Sequence, residues 1–219
     1  MTFKEFQSKI TITGTTLVAV SKTHPPEKIK EIYNQGQRDF GENKVQEMLS
    51  KSEVLPDDIR WHMIGHLQTN KVKSIAPFVY LIHSLDRISL AKEINKQALK
   101  SGRVIPALLQ IKIASEDSKF GIDPRQLSGF MDDFNRMNFP NIRITGVMGM
   151  ATFTDDMAQI RSEFELLERL FVDLRDRYFS DDPAFTIKSY GMSSDYETAI
   201  QTGSNMVRVG SLIFGDRNY

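Results

Sequence analysis

Short runs of apolar and β-branched residues recur along the chain, each separated from the next by a stretch with helical spacing. The predicted strands are Thr16–Val20, Arg38–Phe40, Trp61–Ile64, Val79–Ile82, Ile105–Ile111, Ile142–Val147, Phe185–Ile187 and Met206–Val209. Several are apolar at every position, as expected of parallel strands covered on both faces. Between them lie helices. Pro25-Pro26 leads into the stripe Ile29, Ile32, Tyr33, which stops at Gly36, and proline early with glycine late is the usual helix asymmetry. Leu85, Ile88, Ala91, Ile94 and Ala98 form a second stripe ending before Gly102. Asp123-Pro124 reads as an N-cap and first-turn proline before Leu127, Phe130, Met131 and Phe134. Thr154 with Asp155-Asp156 opens the longest helix, whose inner face carries Ile160, Phe164, Leu167, Phe171 and Leu174. Asp195 is expected to cap a short helix closing at Gly203.

About eight strand–helix alternations with no linker or low-complexity segment predict an α/β fold. The expectation is a single (β/α)8 TIM-type barrel forming one domain over residues 1–219. An open doubly wound sheet is the alternative, and strand count does not separate the two.

Composition narrows the classes. The 219 residues suffice for one sizeable core and are too few for two ordinary enzyme domains. Lys plus Arg (28) equals Asp plus Glu (28), so nothing predicts attraction to nucleic acid or to an anionic membrane. The absence of cysteine removes disulfides, thiolate nucleophiles and Cys-ligated metals together. No apolar run approaches bilayer length, and MTFKEFQSKI lacks the apolar stretch of a signal peptide. A cytoplasmic location is the expectation.

In such a barrel, functional groups sit at the C-terminal ends of strands. Those ends read Ser21-Lys22-Thr23-His24, Gly41-Glu42-Asn43, Gly65-His66-Leu67-Gln68, Met148-Gly149-Met150, Tyr190-Gly191-Met192-Ser193-Ser194-Asp195 and Gly210-Ser211. Lys22 follows LVAVS directly, where an apolar rim would desolvate it and lower its pKa. A neutral amine suits carbonyl addition. Taken alone, Lys22 reads first as a strand-end lysine in solvent, since lysines are mostly exposed. GMSSD and the GS after VRV place hydroxyls at two turns opening short helices, where free N–H groups favour an anion. They follow the seventh and eighth strands, the usual phosphate position of this fold. Each is also an ordinary cap. Arg208, inside the last strand, needs a partner because an unpaired buried charge is costly. That partner is either a buried carboxylate or a ligand's acceptor atom. A phosphorylated aldehyde cofactor accounts for the lysine, both turns and the arginine together.

Other signals weigh less. His24, His62, His66 and His83 match no metal-binding spacing and read as polar or packing residues. Lys112 and Lys188 are rival amines without the strand-end turn of Lys22. Met148, Met150, Met192 and Met206 read first as core filler, and the first three could also flank a ring.

Five blocks carry a family resemblance: LVAVSKTHPPEKI, FGENKVQEM, WHMIGHLQTNKV, GVMGMAT and SYGMSSDYETAIQTGSNMVRVGSLIFGDRNY. In this order and over almost the whole chain they resemble the pyridoxal phosphate homeostasis protein family. The resemblance implies a barrel like the N-terminal domain of alanine racemase, with pyridoxal 5′-phosphate (PLP) as cofactor. It implies that Lys22 forms the internal aldimine and that Asn43 lies near the cofactor. Ser193, Ser194, Gly210 and Ser211 would hold the phosphate, and Arg208 would face the pyridine nitrogen. The family is understood as a carrier or buffer in vitamin B6 and amino-acid balance, with PLP-dependent apo-enzymes as its possible recipients.

Lys188 and Tyr190 stand where apolar residues are more usual, a change that could alter the mouth of the site and any docking surface. VRVGS replaces the commoner VRIGT and keeps the hydroxyl. The leading expectation is a non-catalytic, monomeric PLP-binding protein. The alternative is a PLP-dependent amino-acid racemase or decarboxylase. Racemisation needs an acid/base group on each face of the cofactor, and the chain ends at Tyr219 with no further domain to supply the second; Tyr190 or Tyr196 would have to substitute. A third class, a barrel serving only as an interaction module, predicts a colourless protein.

Overall fold

The computed structural model describes residues 2–115 and 120–215; the last four residues of the final sequence block, 216–219, lie outside them. The strands are β1 (Thr16–Val20), β2 (Asp39–Glu42), β3 (Arg60–Met63), β4 (Leu81–Leu85), β5 (Ile105–Gln110), β6 (Ile142–Met148), β7 (Ile187–Ser189) and β8 (Met206–Val209). They pair in parallel in sequence order, and β8 closes on β1, with Thr16 opposite Met206 and Val18 opposite Arg208. The sheet is therefore the expected closed barrel, and the open doubly wound alternative is excluded.

The helices are α1 (Phe3–Ile12), α2 (Pro26–Asn34), α3 (Val45–Ser52), α4 (Val72–Ile75), α5 (Ile88–Lys100), α6 (Leu127–Met137), α7 (Met157–Tyr178), α8 (Tyr196–Gln201) and α9 (Ser211–Phe214). The predicted stripes are their buried faces. On α7, Ile160, Phe164, Leu167, Phe171 and Leu174 all point into the core, and Asp156 starts the helix by accepting from the N–H groups of Ala158 and Gln159. The one misplaced member is Leu85, which ends β4 instead of opening α5. Sequence reading did not mark α1, yet its signals are present. Thr2 and Glu5 form a reciprocal capping box, and Phe6 and Ile10 pack on Leu17, Val207 and Val209.

Alternation along each strand divides the core in two. Outward-facing Ala19, Phe40, Trp61, Met63, Ile82 and Val147 pack against the helices in the main apolar layer. A fully buried residue of this kind stabilises the fold by roughly 1.5–3 kcal/mol. Inward-facing Val18, Leu81, Leu108, Met148 and Met206 fill the barrel, joined by Met150 and Ile187. Met148 and Met206 are thus the core filler expected of them.

Candidate functional site

Lys22 lies two residues past β1. Val18 faces the barrel interior, and counting in twos gives Lys22 the same parity. It is half-buried. Its neighbours Ser21 and Thr23 have the opposite parity and are tied to the outer layer. The Ser21 hydroxyl donates to Glu42 Oε1 at 2.6 Å, and Lys51 Nζ donates to the Ser21 carbonyl at 2.9 Å and to Glu42 Oε1 at 2.8 Å. The Thr23 N–H donates to Glu47 Oε2 at 2.8 Å. Thr23 has φ +68°, unusual for a β-branched residue, and the Glu47 bond fastens it there. Burial raises the Glu42 carboxyl above its ordinary pKa, only partly offset by Lys51 and Ser21.

The loop after β8 presses on the end of β1: a Cβ on Gly210 would sit 3.1 Å from the Val20 carbonyl oxygen. The loop after β7 turns at Gly191, φ +95°, where a Cβ would lie 2.5 Å from that of Ala199. Ser193, half-buried, accepts a hydrogen bond from the Gly210 N–H at 3.3 Å, which joins the two loops. Ser194 and Ser211 are exposed beside it. Asp195 differs from expectation. Its carboxylate makes no cap bond to α8 and reaches back to the Met192 N–H at 2.5 Å, closing the loop on itself. Asn43 follows β2; its backbone packs so closely on Gly65 that a Cβ there would fall 2.3 Å from the Asn43 carbonyl oxygen. Lys22, Asn43, Ser193, Ser194, Gly210 and Ser211 therefore all belong to one rim.

Arg208 lies below that rim, fully inside the barrel. Nη1 donates to the Ser189 carbonyl and hydroxyl at 2.7 and 2.8 Å, and Nη2 to the Gly149 carbonyl at 3.0 Å. Among the described residues it makes no ion pair with a carboxylate. Burial pulls its pKa down to about 10, with Asp195 acting weakly the other way. Of the two partners open to Arg208 in the sequence, a directly bonded buried carboxylate is not found among the described residues.

Beneath Arg208 runs a polar file that the sequence did not reveal. Ser189 Oγ is 3.1 Å from His83 Nδ1, His83 Nε2 is 2.9 Å from His62 Nδ1, and His62 Nε2 is 3.0 Å from Asp39 Oδ1. Arg60 closes the far end on Asp39. All share inward parity: His83, Ser189 and Arg208 follow the interior residues Leu81, Ile187 and Met206 by two. Polar residues at inward strand positions were the available signal.

The remaining histidines pack on rings. His24 stacks on Phe214, and His66 stacks on Phe120. No group of three metal-ligating side chains gathers among the described residues. Lys188 and Tyr190 do not reach the mouth of the site. Lys188 points outward to Glu168 at 2.8 Å, and the fully buried Tyr190 ring packs on Phe164 with its hydroxyl 3.1 Å from Glu168 Oε2 and from the Thr202 carbonyl. Burial, with Glu168 beside it, pushes the Tyr190 hydroxyl far above its ordinary pKa. Tyr196 likewise faces α1, edge-on to Phe6.

The family model described as "Alanine racemase, N-terminal domain" matches residues 3–218. The pyridoxal phosphate homeostasis protein of Aquifex aeolicus (strain VF5) is 42% identical over 204 residues, which is 93% of this chain and 87% of that protein. The chain belongs to the pyridoxal phosphate homeostasis protein family. The PipY protein of Synechococcus elongatus PCC7942 has been solved without PLP, at TM-score 0.84 and 34% identity, covering 92% of this chain and 93% of that one. Its structure with PLP bound superposes at TM-score 0.82 and 32% identity over the same shares. Membership over nearly the full barrel confirms both the fold and the resemblance carried by the five sequence blocks.

Proposed function

We propose that this chain binds PLP at the C-terminal rim, covalently through Lys22, and holds the cofactor without turning it over. The observation that carries this reading is Arg208, a guanidinium inside the barrel with no carboxylate on it among the described residues. The donor set fits PLP group by group. An amine meets the aldehyde, Ser193, Ser194, Ser211 and the close turn at Gly210 suit the phosphate, and Arg208 suits an unprotonated ring nitrogen. Asn43 lines the neighbouring loop. That a relative has been solved with PLP bound supports PLP as the ligand.

Bound PLP supplies an electrophilic carbon and a ring that withdraws electrons. Arg208 gives up its proton reluctantly, so it would hold the ring nitrogen of bound PLP unprotonated, and the ring would withdraw electrons weakly. Such a donor would favour retention over carbanion chemistry. The racemase or decarboxylase alternative also loses its two candidate second acids, since Tyr190 and Tyr196 both face away from the barrel interior. We further propose that the barrel acts as one binding unit over residues 1–219, in the cytoplasm, as part of vitamin B6 and amino-acid balance, passing PLP to apo-enzymes. No described helix is long and apolar enough to cross a membrane.

The test is direct. Protein purified with PLP is expected to be yellow, and borohydride reduction followed by peptide mass mapping should place the added mass on Lys22. Lys22→Ala should remove the visible band and leave the unfolding midpoint nearly unchanged. A colourless wild type, or label on Lys112 instead, would overturn the reading, as would fast turnover of an amino-acid enantiomer.

A further inference from the structure

Resting on that reading of Arg208, we propose that Ser189, His83, His62 and Asp39 form a one-directional hydrogen-bond relay. In it, Asp39 is the remote counter-charge of Arg208, and the four are positioning residues for the cofactor's ring nitrogen.

Direction follows link by link. A guanidinium only donates, so Ser189 Oγ accepts from Nη1 at 2.8 Å. The single proton of that hydroxyl is then available to His83 Nδ1, 3.1 Å away. A neutral imidazole accepting at Nδ1 carries its proton on Nε2, which points to His62 Nδ1 at 2.9 Å. His62 accepts there and carries its own proton on Nε2, 3.0 Å from Asp39 Oδ1. Every donor faces away from Arg208, and the file ends on the Asp39 carboxylate, which Arg60 holds from the far side at 2.8 Å.

The reverse order is worse at each end. It asks the Ser189 hydroxyl to accept from both sides while its own proton points elsewhere. It also demands either two lone pairs facing each other at His62 and Asp39, or a second cation in the core beside Arg208. Burial, with His62 and Arg208 nearby, holds His83 well below its ordinary pKa and hence neutral. Asp39 sits below its ordinary value despite burial, because His62 and Arg60 more than offset the desolvation.

The arrangement explains why no carboxylate among the described residues touches Arg208. A direct partner would take the donors a ligand needs. The three observed bonds leave two of the five guanidinium N–H groups for an acceptor above. Aligned hydrogen bonds polarise one another, so the file delivers negative charge without occupying the rim. Its far end meets a cavity of about 360 Å³ on the opposite face, lined by Asp39, Arg60, Arg38 and Gln37.

Two measurements test this. In ¹⁵N-histidine spectra of the PLP-free wild type, His62 and His83 should both carry their proton on Nε2. A proton on Nδ1 of His83 overturns the proposal without any variant and without reference to PLP. For the loaded protein, Ser189→Ala and Asp39→Asn should each weaken PLP retention roughly ten- to hundredfold, with Ser189→Thr rescuing the first. The double variant should be little worse than either single one, although two histidines separate the sites, because both cut one file. Additive losses, as expected of independent structural roles, or unchanged retention in either single variant, overturn it. Failure of Lys22 to carry PLP would sink the functional reading and leave the histidine spectra unaffected, so the two failures are distinguishable.

Discussion

Strand β2 carries two buried carboxylates on opposite sides of the barrel wall, and their surroundings treat them differently. Glu42 faces outward into the layer under α3 and meets a cation directly, Lys51 Nζ at 2.8 Å, with both side chains almost wholly buried. Asp39 faces inward, takes two bonds from the half-exposed Arg60 at the far end of the barrel, and on its other side ends a file of neutral groups leading to Arg208. The outer pair is closed on itself and fastens the turn that bears Lys22. The inner one keeps its cation open toward the rim. On the proposed reading, one wall serves as scaffold on its outer face and as binding apparatus on its inner face, a division made possible by the two-residue period of a strand.

The largest effect that would break this comparison is on the scaffold side. Lys51→Met strands Glu42 as a buried charge and should destabilise the protein by about 3–5 kcal/mol, measured by urea unfolding at neutral pH. Lys51→Met combined with Glu42→Leu should recover most of the loss, because an apolar pair of similar volume replaces an ion pair at little net cost. If the single variant unfolds no more easily than wild type, the outer pair is not the anchor described.

A smaller effect concerns the residues once expected at the mouth. Tyr190→Phe leaves the Thr202 carbonyl and Glu168 short of one donor, at a cost of about 1 kcal/mol. Visible absorption of bound PLP should stay as in wild type. A change in that absorption would mean that the outer layer and the site are coupled.

The same division explains what was legible in the sequence. Strands β1 and β8 were placed correctly, and the apolar faces of α2, α5, α6 and α7 were read correctly, because burial between two layers imposes unbroken apolar runs and clear helical stripes. Three strands were placed too early: Arg38–Phe40 for Asp39–Glu42, Val79–Ile82 for Leu81–Leu85, and Phe185–Ile187 for Ile187–Ser189. In each the true strand continues into small or polar residues, Gly41-Glu42, His83-Ser84 and Lys188-Ser189. These lie at the C-terminal end of the barrel, where the proposed site is, so the hydrophobic signal stops before the strand does. The rim residues were visible because they sit in turns marked by glycine and serine. The relay was not, since its members are single polar residues on four strands that only barrel closure brings together.

The smallest effects are in pH dependence, and they have opposite signs. Burial raises the Glu42 pKa above its ordinary 4.5, so its ionised form costs stability; that cost disappears as pH falls from neutral toward 4.5. The stability of wild type relative to Glu42→Gln should therefore rise on acidification. Asp39 is the reverse. Its pKa is lowered from 3.8, burial being outweighed by His62 and Arg60, so its contribution is complete above 3.8 and is lost as pH falls through the lower folded value. Wild type relative to Asp39→Asn should hold level down to that range and then decline. Unfolding free energies of the three proteins from neutral pH into the acid range check both signs together. Two curves bending the same way would show that the inner and outer faces of β2 are not the distinct electrostatic environments inferred from their partners.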